Sequence, residues 1–285
     1  MVHVNRGRKR RPRKIVMHSA HKVGKSTWAS KAPEPIFADC ESGLGDIDCN
    51  STDRILDWDQ LYTTAGYFLH TPRGYRTFVL DTLDWAERLC HQKLCREANA
   101  SSINSGKILG YGEGYRRASI EFDKLLKVFD AGIQNGIGII ILSHSKAVKV
   151  EEPGIPAYTH YAMDVHDAIS SMVCEWADDI LFANTRVYVR QEEAGFNRTR
   201  GIAAGGTERY VLTSKSAIAE AGNRCGLPEE LPLEWDAYEA AVRNFYATAK
   251  PPAPAAAPIE TQPAPLGDGA NIGGLVVNGS SKVEV

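Results

Sequence analysis

Unbroken apolar runs alternate along this chain with segments whose apolar residues fall at helical spacing. "KIVMHS" (14–19), "PIFADC" (35–40) and "YRTFVLDTL" (75–83) predict buried strands, and "DRILDW" (53–58) a weaker one. "GIGIIILSHS" (136–145) is the most apolar stretch and shows no alternation, which predicts a central strand covered on both faces. "DWAERLCHQKLCREA" and "RRASIEFDKLLKVFDAGIQ" predict helices, with "SSINSGKILGYGEG" as a flexible connection between them. Another helix is predicted from about Lys25. Further on, "DDILFANTRVYVR" and "ERYVLTSKS" predict antiparallel edge strands, and "EWDAYEAAVRNFYATA" a last helix. This alternation predicts the α/β class, a mostly parallel sheet with helices on both faces and antiparallel strands at its edge.

Both ends break the pattern. Residues 1–14 hold seven basic side chains (Arg6, Arg8, Lys9, Arg10, Arg11, Arg13, Lys14) and no acidic one, which predicts a disordered basic arm over 1–13. The arm reads equally as a solubilising tail or as a polyanion-binding segment, with Arg8, Arg10 and Arg11 as candidates for nucleic-acid phosphates. From Lys250 the chain holds six of its fourteen prolines among many alanines, which predicts a disordered tail over 249–285. One folded domain over 14–248 remains, and its 43% hydrophobic content suffices for a core.

No apolar run approaches the roughly 18 residues of a membrane span, so no membrane partner is expected. The basic start is not followed by the long apolar stretch of a signal peptide, which predicts an intracellular protein. The cysteines form no C-x-x-C pair and are expected as reduced thiols. The histidines form no H-E-x-x-H, and His18 with His21 lacks further ligands in sequence order, so no metal site built from side chains alone is predicted.

"HSAHKVGKST" (18–27) holds the chemistry. Its second half fits the phosphate-loop pattern G-x-x-x-x-G-K-[ST], but Ser19 stands where the first glycine belongs. A strand precedes it and a helix follows, as such a loop requires. Residues Ser19, Ala20, His21, Lys22, Val23, Gly24, Lys25, Ser26 and Thr27 are therefore the candidate nucleotide-binding loop, with main-chain N–H groups facing phosphate. Lys25 would reach the β- and γ-phosphates, and the Ser26 hydroxyl would meet Mg²⁺. Ser19 lies where the chain leaves the strand, so a small side chain there costs fit rather than function.

Two distant features complete the set. "TFVLD" delivers Asp81 at the end of an apolar strand, the Walker B pattern, where the carboxylate orients a water on Mg²⁺. "FADCESG" brings Asp39 and Glu41 to the end of the strand that follows the phosphate-loop helix, and a carboxylate there can polarise the attacking water. His144 in "LSHSK" is a candidate γ-phosphate sensor. The segment after it (146–164), with Lys146 and Lys149, reads as a long mobile loop suited to single-stranded nucleic acid.

"KIVMHSAHKVGKSTWASKAPEPIFADCESGL", "YRTFVLDTLDW", "GIIILSHSK", "HDAISSMVCEWADDILFA" and "AGNRCGLPEELPL" together resemble the phage-encoded RecA-like ATP-binding proteins, which include the single-strand annealing recombinases often called the Sak-four type. The resemblance covers most of residues 14–235 and neither tail. It implies a RecA-like P-loop ATPase core using ATP and Mg²⁺ in the cytoplasm of an infected bacterial host. It also implies binding to single-stranded DNA, a homo-oligomeric ring or filament, and other phage or host recombination proteins as partners. Glu41 takes the position of the catalytic glutamate, and His144 that of the switch residue linking ATP to the DNA-binding segment.

In "AGNR", Gly222 stands where this family is expected to hold a lysine that reaches a neighbour's γ-phosphate. Arg224 or Lys215 is then the candidate cross-subunit cation, a role worth about 10³ or more in rate. The expectation of ATP binding therefore stands apart from that of fast hydrolysis. Three other readings stay open at the level of sequence. They are a nucleotide-gated DNA-binding assembly protein with little hydrolysis, a small-molecule P-loop kinase, and a loader or packaging ATPase.

Overall fold

The structure, a computed structural model, describes residues 7–71, 73–193 and 199–248, with side chains omitted for 189–205. The Pro/Ala-rich tail and the first six residues of the basic arm lie outside the described residues. In chain order the elements are β1 (Lys14–Ser19), α1 (Lys25–Ala29), β2 (Pro35–Asp39), β3 (Asn50–Ser51), α2 (Trp58–His70), β4 (Thr77–Asp81) and α3 (Leu83–Ala98). They continue as α4 (Gly106–Leu109), α5 (Glu113–Gln134), β5 (Gly138–Val150), β6 (Tyr158–Met163), α6 (Asp167–Trp176), β7 (Asp179–Glu193), β8 (Thr199–Leu212), β9 (Gly222–Asn223), β10 (Glu230–Pro232) and α7 (Trp235–Ala247).

The strands join in one sheet of order β10-β8-β7-β1-β5-β4-β2-β3. Strands β7, β1, β5, β4, β2 and β3 run parallel, while β8 and β10 close one edge antiparallel. Successive residues of a strand point to opposite faces, and here both faces are covered. Val16, Phe78, Leu80, Ile139 and Ile141 pack on the side of α2, α3, α5 and α6. Ile15, Met17, Phe37, Val79, Ile140 and Leu142 pack on the side of α1 and α7. Two-sided burial is why these strands read as unbroken apolar runs.

Two predicted elements differ. "DRILDW" is not a strand, because Asp57 caps α2 by accepting the backbone N–H of Gln60 at 2.8 Å, and β3 lies before it at Asn50–Ser51. Nor is 146–164 a loop. Strand β5 runs on past the sheet to Val150 and returns as β6, with Ser145 opposite Met163 and Val150 opposite Tyr158. Lys146 and Lys149 sit on this ribbon.

The folded body also begins earlier than residue 14. Arg13 forms a bidentate ion pair with the fully buried Asp179, at 2.9 Å from Nε and 2.5 Å from Nη2. Tyr238 Oη of α7 donates to the same carboxylate at 2.6 Å. Arg11 pairs with buried Asp178 at 2.7 Å, and Arg8 donates to the Phe245 carbonyl at 2.7 Å while its guanidinium lies over that ring. Arg8 and Arg11 thus spend their charge and donors on the domain itself. Arg10 stays exposed.

Candidate nucleotide site at the carboxyl ends of the strands

Parallel strands bring their carboxyl ends to one pole, and the predicted site residues meet there. Register places Ser19 beside His144 and Asp39 beside Asp81, so β1, β5, β4 and β2 end together around the loop from Ala20 to Gly24. Ala20, His21 and Lys22 are exposed, and none of the backbone N–H groups from Ala20 to Gly24 has a hydrogen-bond partner among the described residues. Donors left open in a concave loop suit an anion.

Gly24 needs to be glycine because its φ is +118°, where L side chains are strained. Beside it lies the Arg209 guanidinium, which donates to the Val23 carbonyl at 3.1 Å. Arg209 on β8 thereby becomes a cation beside the loop, which the sequence did not signal. A cleft of about 470 Å³ opens there between Gly24, Thr27 and Trp28 on one side and Leu233 and Trp235 on the other.

Ser19 is fully buried, with its hydroxyl donating to the Ala20 carbonyl at 2.7 Å and accepting from Lys25 Nζ at 3.2 Å. The missing glycine has been replaced by a side chain that faces inward and steadies the lysine. Burial pushes the Lys25 ammonium below its ordinary pKa, partly countered by the carboxylates of Asp81, Glu41 and Asp84 around it.

Ser26 Oγ donates to Asp81 Oδ2 at 2.7 Å. Burial raises the Asp81 carboxyl to about 6; Glu41 adds to the rise, while Ser26 and Lys25 oppose it. A hydroxyl and a carboxylate are the hard oxygen donors that Mg²⁺ selects, and burial still disfavours the Asp81 charge despite Ser26 and Lys25, so Ser26 and Asp81 fit that ion. Because the folded protein holds this proton more tightly than the unfolded chain, the contribution of Asp81 to the stability of the nucleotide-free protein falls as pH rises from about 4 to about 6. Above that window the cost is constant, on the order of 3 kcal/mol at about 1.4 kcal/mol per pH unit. Asp81→Asn keeps an acceptor for Ser26 and removes the charge. It is expected to raise the melting temperature of the nucleotide-free protein at pH 7.5, to do so much less at pH 4, and to lose Mg²⁺-dependent nucleotide binding.

His144 is buried and held by a residue that sequence reasoning missed. Asp84, in the first turn of α3, accepts the His144 backbone N–H and Nδ1–H, both at 3.0 Å. Burial raises the Asp84 carboxyl, but these hydrogen bonds outweigh it and leave it lowered, hence charged. The Nε2 side of the ring faces Glu41 Oε1, 3.8 Å away. The ring of His21 stacks beside it, centroids 3.9 Å apart. His18 turns elsewhere: Nε2–H donates to the Glu220 carbonyl at 2.6 Å, Nδ1 accepts from Ser145 at 2.8 Å, and burial lowers its pKa to about 4.

The other predicted residues are not gathered here. Lys146 donates to the Val165 carbonyl at 2.6 Å, and Lys149 pairs with Glu151. Both lie past the phosphate-loop pole, while Arg8, Arg10 and Arg11 precede β1 at the opposite pole. A six-residue strand of about 20 Å separates the two sets, so they do not form one continuous phosphate-binding patch. Arg224 donates to its own chain's Glu175 carbonyl at 2.9 Å, next to the amino end of β7, while Lys215 is exposed beyond β8.

A phosphate loop on a parallel sheet, a lysine and serine in it, and a strand-end aspartate bonded to that serine define a P-loop NTP-binding protein. The chain belongs to the AAA domain family, whose model matches residues 11–225. A comparison with curated proteins finds no match. Among the described residues no helix is long and apolar enough to cross a membrane.

Proposed function

We propose that the protein is a Mg²⁺–ATP-dependent, single-stranded-DNA-binding protein of phage-type recombination, active as a homo-oligomer in annealing or strand pairing. The observation that carries the reading is the continuity of β5. His144 sits at the nucleotide pole, and the same strand runs on into the β5–β6 ribbon with Lys146 and Lys149. A change at the γ-phosphate moves His144, and the ribbon moves with it. Lys25 and the loop N–H groups bind the phosphates, and the cleft beside Trp28 and Trp235 receives base and ribose. Glu41 polarises the attacking water. Ser26 and Asp81 would hold Mg²⁺, which would supply electrostatic stabilisation of the charge developing on the phosphates.

The test is ATP turnover with and without single-stranded DNA, on the intact chain and on the Lys146→Ala/Lys149→Ala variant. DNA is expected to stimulate the intact chain, and the double variant to lose the stimulation while keeping basal turnover. Equal turnover with and without DNA would remove the recombination reading and leave an NTPase acting on something else. A second reading, a nucleotide-gated binder with little hydrolysis, is favoured by Gly222 and by Arg224 being engaged in its own chain. It predicts ATP-dependent DNA binding without turnover.

A further inference from the structure

We infer that His21, Glu41 and His144 form a binding site for a transition-metal dication of the Zn²⁺ class, separate in chemistry from the Ser26–Asp81 site. The three residues come from three elements: the β1–α1 loop, the turn after β2, and β5. Each offers one donor atom, and these atoms lie within 4.8 Å of one another. Spacing along the chain could not reveal this, because the ligands are 20 and 103 positions apart in sequence.

Three features favour a metal over a chance cluster. Two imidazoles and one carboxylate form the donor set found in zinc sites, whereas Mg²⁺ prefers oxygen. His144 is already oriented as a ligand. Asp84 accepts the Nδ1–H hydrogen bond and leaves Nε2 facing the cluster, the carboxylate–histidine arrangement that supports bound zinc. Glu41 Oε1 and His144 Nε2 stand 3.8 Å apart, close to the spacing of two donors on one ion. Metal bonds of about 2.0–2.1 Å put donors roughly 3.3 Å apart, and the exposed His21 supplies the small closing movement.

An ion held here occupies Glu41 Oε1 and His144 Nε2. Given the proposed role of Glu41, which this consequence alone requires, the metal-loaded protein cannot polarise water and turns over ATP slowly or not at all. Metal and nucleotide then compete for one pole of the sheet.

The experiment is titration of the full, nucleotide-free chain with Co²⁺, read by its visible absorbance and by calorimetry. One equivalent is expected to bind with the intense bands of a low-coordinate site, to be displaced by Zn²⁺, and to resist a large excess of Mg²⁺. His21→Ala, an exposed change that leaves the core intact, is expected to weaken binding at least tenfold. Asp84→Asn is expected to weaken it by about 10–100-fold, and His160→Ala, away from the cluster, to leave it unchanged. Absence of Co²⁺ binding, unchanged binding in His21→Ala, or an equal loss in His160→Ala would overturn the site. Binding of a fluorescent ATP analogue to the same preparations separates the two claims. Loss of Co²⁺ binding with ATP binding intact defeats only the metal site, and the reverse defeats only the nucleotide reading.

Discussion

Glu41→Gln is expected to lower ATP turnover by about 10²–10⁴-fold, the range for removing a general base, while Mg²⁺–ATP affinity changes little. Glu41 is half-buried and among the described residues makes no hydrogen bond that holds the loop, and it stands opposite His144 rather than against Ser26. Glutamine keeps its shape and loses the capacity to take a proton from water, together with one of the carboxylate charges around Lys25. Single-turnover kinetics alongside equilibrium binding check the split. A parallel fall in affinity and rate would make Glu41 a binding residue, and unchanged turnover would remove it from the chemistry.

Arg13→Ala should have the largest effect on stability. It leaves Asp179, fully buried in β7, without its bidentate partner, and breaking such a pair by removing one member costs about 3–5 kcal/mol. Tyr238 and the Cys225 thiol, 3.8 Å from the carboxylate, remain as neutral donors and cannot balance the charge. For a domain of this size the loss corresponds to a fall in melting temperature of roughly 10 °C. Denaturant unfolding should show a lower midpoint with an unchanged slope. A loss under about 1 kcal/mol would show that Asp179 is neutralised or solvated in another way and that residues 8–13 are dispensable to the fold.

What the sequence disclosed follows from where the information lies. The parallel strands were legible because burial on both faces writes a contiguous apolar run, and the phosphate loop because its residues are neighbours. The β5–β6 ribbon was not. It leaves the sheet, so "KAVKV" mixes two lysines with small apolar residues, and Val148 is exposed. Asp84 and His144 are 60 positions apart, and only the adjacency of β4 and β5 brings them together. The basic arm misled in a different way. Its charges read as a free polycation, but Asp178 and Asp179 at the start of β7 take up Arg11 and Arg13. A charge run says nothing of carboxylates that fold places beside it.

The most direct measurement is equilibrium binding of a fluorescent ATP analogue with Mg²⁺ to the intact chain and to Lys25→Ala. Lys25 Nζ is placed against Ser19 and among the site's carboxylates, and truncating one partner of a buried charge contact costs about 2 kcal/mol or more in binding, roughly 30-fold or more. Saturable binding weakened to that extent in the variant is the expected result. Equal binding by the two proteins would mean that this loop does not hold the nucleotide's phosphates.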